Sequence, residues 1–132
     1  MIAGEQGLNM SKINGFTLIE LLIVMVIMGI LVSIAYPTYH HHILKSRRSD
    51  GQTALLHLAL LMEQYYTQNK TYDGFMLTNK SSPQGFYQLE IKKSSEDAYM
   101  LNAIPIGPQV DDSCKTLSLN NMNIKGPKQN CW

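Results

Sequence analysis

Residues 15–37 read GFTLIELLIVMVIMGILVSIAYP, and the organisation of the rest of the chain follows from them. Between positions 16 and 36 there is one charged residue, Glu20. An α-helix of this length rises about 30 Å, the thickness of a bilayer's hydrocarbon core. A cleaved secretory signal has a shorter apolar core, of about 7–15 residues, and ends in small residues, whereas this run ends in Tyr36 and Pro37. The sequence therefore predicts a transmembrane helix over residues 16–37.

The start of the apolar run carries a motif. Gly15 precedes Phe16, and Glu20 is the fifth residue of a chain that would begin at Phe16. This arrangement resembles the leader and processing site of type IV prepilins, over the whole of residues 15–37. The resemblance implies that a prepilin peptidase cuts between Gly15 and Phe16 on the cytoplasmic face, and that the new N-terminal Phe16 is N-methylated. A glycine suits such a site because its backbone enters a protease cleft at little steric cost.

Glu20 is an unusual residue in a membrane helix, because a charged group costs about 2.5–3.5 kcal/mol at the bilayer centre. The resemblance implies a role in subunit assembly, in which Glu20 pairs with the α-amino group of Phe16 in a neighbouring subunit. Both charges are then neutralised inside the fibre. The alternative is that Glu20, close to the new terminus, reaches the lipid headgroups and has no function in assembly.

Residues 1–15 are interpreted as the leader. A start at Met10 would shorten it to six residues, and in either case the mature chain has 117 residues. The positive-inside rule opposes a cytoplasmic leader, because Lys12 alone precedes the helix and three basic residues follow it. These three are Lys45, Arg47 and Arg48. We give precedence to the prepilin motif and expect the head, residues 38–132, to be periplasmic.

Helical periodicity continues beyond Pro37. Apolar residues recur every three or four positions within residues 38–69, which is typical of an amphipathic helix. They are Ala54, Leu55, Leu58, Leu61, Met62 and Tyr65. No second helical pattern follows, so a sheet is the expected partner of this stripe. Gly29 and Pro37 are predicted weak points of the apolar half, and in the fibres of the resembling family this interval loses helical order.

In the last third of the chain, polar and apolar residues alternate, which is typical of strands in an antiparallel sheet. Strands are predicted at residues 86–92, 98–105 and 116–120, with a weaker one at 122–125. One long helix packed on this small sheet makes an α+β head. The resemblance implies the same architecture, the type IV pilin fold.

Cys114 and Cys131 form no CxxC pair. Two thiols are also too few for a four-thiolate zinc site, so neither redox catalysis nor zinc binding is predicted. The resemblance implies a disulfide that bounds a C-terminal loop exposed on the fibre. Such a bridge would add about 3 kcal/mol of stability and would require a compartment outside the cytoplasm.

No motif supports catalysis, a cofactor or a metal site. Three adjacent histidines, at positions 40–42, point about 100° apart on a helix, and Asp111 with Asp112 supplies too few oxygens for calcium. The formal net charge of +1 gives no bulk attraction to polyanions. Scattered, solvated lysines are favoured over a DNA-binding patch at Lys92, Lys93, Lys115, Lys125 and Lys128.

The resemblance implies a PilE-type minor pilin of a type IV pilus, and the residues 112–117 and Cys131-Trp132 contribute to it. Such a protein takes part in pilus assembly or initiation, and thereby in twitching motility, adhesion and DNA uptake. The implied partners are other major and minor pilins, a prepilin peptidase and N-methyltransferase, the inner-membrane assembly machinery and, before assembly, membrane lipid. The protein is expected first in the inner membrane and then in the pilus on the cell surface.

Three other functions stay open at this point. A major pilin is one, although the head is short. A type II secretion pseudopilin is another, although the cysteine pair near the terminus argues against it. A membrane-tethered periplasmic enzyme or binding protein is the third, and it would keep the bond between Gly15 and Phe16 uncut.

Overall fold

The computed structural model of the chain describes residues 3, 4, 7 and 12–132. Eight positions of the predicted leader, Met10 among them, lie outside the described residues. The chain divides into two compact units, of which the first ends at Pro37 and the second is Thr38–Trp132. Each unit is described by itself below.

One helix, α1 (Leu18–Asn69), contributes residues to both units. It begins with a capping box: the Thr17 N–H donates to Glu20 Oε2 at 2.9 Å, and the Glu20 N–H donates to Thr17 Oγ1 at 3.2 Å. Each side chain thus satisfies a backbone donor that the start of a helix leaves unpaired. The helix therefore starts at Leu18 rather than at the predicted Phe16. Pro37, predicted at the end of the apolar helix, lies inside α1.

The first unit presents the apolar part of α1. This part is long and apolar enough to cross a bilayer, and none of its most apolar stretch is buried within the chain. Isolated large apolar side chains are common on protein surfaces, but a continuous exposed run of this size needs lipid or other helices around it. The prediction of an apolar N-terminal helix is confirmed.

The second unit contains one antiparallel sheet with its strands in chain order. The strands are β1 (Tyr87–Ser94), β2 (Tyr99–Pro105), β3 (Leu117–Asn120) and β4 (Lys125–Gly126). Two short 3₁₀ helices follow β2 and β4, at Gly107–Asp111 and Gln129–Cys131. A register shift between Ile91 and Lys93 carries β1 two residues beyond its predicted end.

The fourth strand differs from its prediction at residues 122–125. The side-chain oxygen of Asn120 accepts hydrogen bonds from the N–H groups of Met122 and Ile124, at 3.0 and 2.9 Å. These hydrogen bonds stabilise a turn, as asparagine side chains commonly do, in residues that the alternating sequence pattern had predicted to be a strand. Pairing with β3 therefore starts only at Lys125.

The core lies between the second half of α1 and one face of the sheet. Four residues of the predicted stripe are buried there, namely Ala54, Leu55, Leu58 and Met62. Gly51 allows the closest approach, because a Cβ at this position would lie 3.0 Å from the ring of Tyr87 and 3.1 Å from Leu117. The expected helix-on-sheet packing is confirmed.

Candidate functional site

The predicted processing site lies in irregular chain. Residues 12–17 adopt neither helix nor strand, and the side chain of Phe16 is 90% exposed. A protease needs accessible chain outside regular secondary structure, and this exposed segment meets that condition directly before the helix begins. Gly15 has open space around its Cα within the described chain.

Glu20 has a contact that sequence reasoning missed. Its carboxylate accepts a hydrogen bond from the Thr17 N–H through Oε2. The sequence had predicted for this side chain only a role in subunit assembly or a position at the lipid headgroups. The signal was present, since Thr-x-x-Glu before an apolar run is the sequence form of a capping box. In the single chain, the carboxylate therefore already has a partner within its own helix start.

A second candidate site is the C-terminal segment, residues 114–132. The Cys114–Cys131 disulfide closes it, with the two Cα atoms 5.9 Å apart. The segment carries three lysines and no acidic side chain, together with five amide side chains. The lysines are Lys115, Lys125 and Lys128, and the amides are Asn120, Asn121, Asn123, Gln129 and Asn130. The segment is therefore positively charged, and all three of its lysines are exposed.

Hydrogen bonds hold the C-terminal segment in place. Gln52 of α1 donates to the carbonyl oxygen of Cys131 at 2.9 Å, and the indole N–H of Trp132 donates to the carbonyl oxygen of Gly126 at 2.9 Å. The Lys125 ammonium lies 5.2 Å from the centre of the Trp132 ring, within cation–π range. The segment is thus tied both to α1 and to itself.

An ion pair fixes the chain just before this segment. Arg48 binds Asp112 through two hydrogen bonds of 2.7 and 2.6 Å, and the Asp112 side chain is only 2% exposed. The hydrogen bond to Asp112 raises the pKa of the Arg48 guanidinium. Arg47 lies over the ring of Phe86, 4.4 Å from its centre. Both arginines that weighed against the predicted topology therefore make contacts within the head.

An aromatic cluster surrounds Glu63 near the end of α1. The Tyr72 hydroxyl donates a hydrogen bond to Glu63 Oε1 at 2.9 Å. The Tyr99 hydroxyl donates to the same oxygen at 3.4 Å. Burial, and then the hydrogen bond to Glu63, raises the pKa of Tyr72 to about 12. Burial, and then the charge of Glu63, raises the pKa of Tyr99 to about 12 as well. The cluster joins helix and sheet.

The comparisons with known proteins agree with this architecture. A family model described as "Type IV minor pilin ComP, DNA uptake sequence receptor" matches residues 37–118. The chain belongs to this type IV minor pilin family. A second model, the prokaryotic N-terminal methylation motif, matches residues 10–36 of the minor pilin. The ComP match ends within β3, so most of the C-terminal segment lies beyond it.

Curated relatives of this minor pilin are fimbrial and pilus subunits. The probable minor fimbrial protein of Dichelobacter nodosus is 30% identical over 118 residues, which are 85% of this chain and 74% of that protein. The type IV major pilin protein PilA of Myxococcus xanthus is 31% identical over 92 residues, or 68% of this chain. The minor pilin spans only 42% of the length of PilA.

Two solved structures share the fold. A type IV pilin from Shewanella oneidensis superposes with a TM-score of 0.53 at 32% identity, over 67% of this chain and 97% of that one. The non-core minor pilin PilV of Neisseria meningitidis gives 0.52 at 30% identity, over 68% and 94%. The predicted type IV pilin fold and minor pilin function are confirmed, and the family and fold are those of structural pilins.

Proposed function

We propose that this minor pilin is made as a prepilin, cut between Gly15 and Phe16 and methylated on Phe16. Residues 16–37 then hold it in the inner membrane with the head in the periplasm, until it joins other pilins in a fibre on the cell surface. The match of residues 10–36 to the methylation motif supports this proposal most directly. The exposed, irregular chain around Gly15 and the exposed apolar helix are consistent with it.

Assembly would place the apolar helix among the helices of other subunits. Cleavage creates an α-amino group at Phe16, and Glu20 of a neighbouring subunit is its proposed partner. The chain interval between Gly29 and Pro37 would be where the helix loses order, since glycine and proline are the weakest helix formers. The head, residues 38–132, would then supply lateral contacts and the outer surface.

Mass spectrometry of fibres sheared from cells tests this proposal. We expect a peptide that begins at methylated Phe16, in trace amounts relative to the most abundant pilin. A Gly15→Val variant should stay in the membrane with its leader attached, whereas Ile13→Val, which lies in the leader whichever methionine starts the chain, is the control and should be processed. An uncut chain in wild-type fibres, or a mature form confined to the envelope, would contradict the proposal.

DNA uptake is the specific role proposed for the minor pilin within the fibre. The observation that supports it is the description of the matched family as a DNA uptake sequence receptor. The C-terminal segment supplies suitable chemistry: lysines contact phosphates, and asparagine and glutamine side chains hydrogen-bond base edges. Its three lysines have no acidic side chain within the same segment to compete for them.

The salt dependence of DNA binding tests this role. Fluorescence anisotropy with the mature full-length protein in detergent would give the affinity for a labelled duplex at several salt concentrations. The slope of log affinity against log salt is negative, and replacing Lys125 and Lys128 with glutamine should make it shallower by about 2, since each phosphate contact contributes about 1. Lys70→Gln, at the end of α1, is the control and should leave the slope unchanged. Equal losses in both variants would contradict the proposal.

A further inference from the structure

The segment of residues 74–79, the strap, crosses the second unit between the end of α1 and the start of β1 and adopts neither helix nor strand. Among the groups that the structure describes, no backbone N–H or C=O of residues 75–79 makes a hydrogen bond. Met76, in the middle of the strap, has a side chain that is 81% exposed. Backbone hydrogen bonds therefore do not hold the strap against the rest of the head.

Two clefts flank the strap, and both lie within the second unit. One cleft, of about 420 Å³, separates the strap from α1 and is lined on the helix side by Leu58 and Leu61. The other, of about 500 Å³, separates the strap from β1 and is lined on the strand side by Leu89 and Ile91. Protein interiors are normally close-packed, so open space on both sides means that the strap has few packing contacts.

The contacts of the strap come from two of its own side chains and from a tyrosine on α1. Phe75 and Leu77 are half-buried, and each lines both clefts. The ring of Tyr65 meets the ring of Phe75 edge-on, with the ring centres 5.6 Å apart. The Tyr65 hydroxyl donates to the carbonyl oxygen of Asp73 at 3.2 Å, directly before the strap. Tyr65 therefore contacts both the strap and the residue that precedes it.

The chain turns at each end of the strap. Gly74 has a φ of 87°, which glycine adopts without strain. At the other end, the side-chain oxygen of Asn79 accepts the Ser81 N–H at 3.0 Å, which forms a turn. From Lys80 onward the chain is fixed, because the Leu89 N–H donates to the Lys80 carbonyl oxygen at 2.7 Å. The two turns are therefore the points about which the strap can move.

We propose that the strap opens as a unit while the rest of the head stays folded, and that Tyr65 sets how often it is open. A segment with few packing contacts and few hydrogen bonds opens at a lower free-energy cost than the whole domain. Opening joins the two clefts and uncovers Leu58 and Leu89, which are only 2% and 7% exposed while the strap is closed. The head thus presents apolar surface in a minor state without losing its sheet.

Labelling of introduced cysteines with N-ethylmaleimide measures this opening, because the two native cysteines are joined in a disulfide. The mature full-length protein in detergent would carry either Leu58→Cys, beneath the strap, or Leu101→Cys, which is as deeply buried but lies in β2. The second position reacts only through global unfolding, so we expect Leu58→Cys to react at least about tenfold faster. Its rate should also rise less steeply with urea, because opening exposes less surface than unfolding does.

Mass spectrometry locates the label and shows that the disulfide between Cys114 and Cys131 is intact. Near-ultraviolet circular dichroism shows whether each variant folds. If Leu58→Cys does not fold, Leu89→Cys, on the opposite side of the strap, takes its place as the probe.

Tyr65→Phe keeps the ring and removes the hydrogen bond to Asp73, which exists only while the strap is closed. It should therefore raise the labelling rate of Leu58→Cys about threefold. Tyr66→Phe is the matched control and should leave the rate unchanged, since the Tyr66 hydroxyl makes no hydrogen bond in the described part of the chain.

Two results would overturn the proposal. Equal labelling rates for Leu58→Cys and Leu101→Cys would mean that the strap opens only when the whole head unfolds. A rate for Leu58→Cys that Tyr65→Phe does not change would mean that the reagent enters the cleft while the strap is closed.

Discussion

At the scale of single residues, the ion pair between Arg48 and the buried Asp112 is a contact whose loss should be costly. Asp112→Ala would leave the guanidinium without its counterion, and breaking a buried pair costs about 3 kcal/mol. Urea unfolding followed by tyrosine near-ultraviolet circular dichroism measures this loss. Asp111→Ala, at the exposed neighbouring acid, is the control and should change stability by less than about 0.5 kcal/mol. Equal effects at the two positions would contradict the assignment.

The tyrosines around Glu63 give a prediction about pH. The pKa of Tyr72 and that of Tyr99 lie at about 12, above the ordinary 10.0. The folded state therefore holds these protons more tightly than the unfolded state does, so the free energy of unfolding should be unaffected below pH 10 and should fall as the pH rises toward 12. Glu63→Gln should lower both pKa values in a tyrosinate absorbance titration, but not to 10.0, because burial remains.

The control for that titration is Glu90→Gln, an exposed acid on β1. It should leave the pKa values of Tyr72 and Tyr99 unchanged. If Glu63→Gln had no effect on either tyrosine, burial alone would account for both shifts, and the hydrogen bonds to Glu63 would have no electrostatic consequence.

Residue-level contacts were predictable only where they are local. The capping box joins residues three apart, so the sequence contains its full signal, although it was overlooked because Glu20 had an explanation from assembly. Arg48 and Asp112 are 64 residues apart, and the sequence showed only a basic flank and an acidic turn. Their pairing depends on how the sheet lies on α1, which no local pattern encodes.

At the scale of elements, the helix and the sheet meet at Gly51. Gly51→Ala would raise helix propensity by about 1 kcal/mol, but the new methyl group would lie 3.0 Å from the Tyr87 ring. Overpacking of this kind costs about 1–3 kcal/mol, so we expect the substitution to be neutral or destabilising in urea unfolding. Thr53→Ala, two residues away and exposed, gains propensity without a clash and should stabilise. Greater stability of Gly51→Ala than of Thr53→Ala would contradict this packing.

The elements themselves were largely predictable, because each has a local period. The end of α1 at Asn69 and the bounds of β2 and β3 lie within one residue of their predicted positions. The prediction of the fourth strand was wrong at residues 122–124. There the side-chain oxygen of Asn120 accepts hydrogen bonds from two backbone N–H groups, which form a turn. An alternating pattern of polar and apolar side chains gives no indication of such a competing hydrogen bond.

At the scale of the whole molecule, the observed contact of Glu20 at the start of its helix can be separated from its proposed role in assembly. Glu20→Gln keeps an oxygen that can accept the Thr17 N–H, but it removes the charge proposed to neutralise the amino group of a neighbouring Phe16. Thr17→Val keeps the charge and removes the hydroxyl from the capping box. Because an unpaired buried charge costs about 3–5 kcal/mol and a lost cap about 1 kcal/mol, the two variants should differ in assembly.

We therefore expect Glu20→Gln to lower incorporation into sheared fibres by at least about tenfold, whereas Thr17→Val lowers it by no more than about fivefold. Quantitative mass spectrometry against the most abundant pilin measures both, and immunoblots of membranes show whether each subunit accumulates. The opposite order, with Thr17→Val more severe, would mean that Glu20 acts through the start of its own helix. Assembly would then depend on helix capping, and the partner of the Phe16 amino group would have to be sought elsewhere.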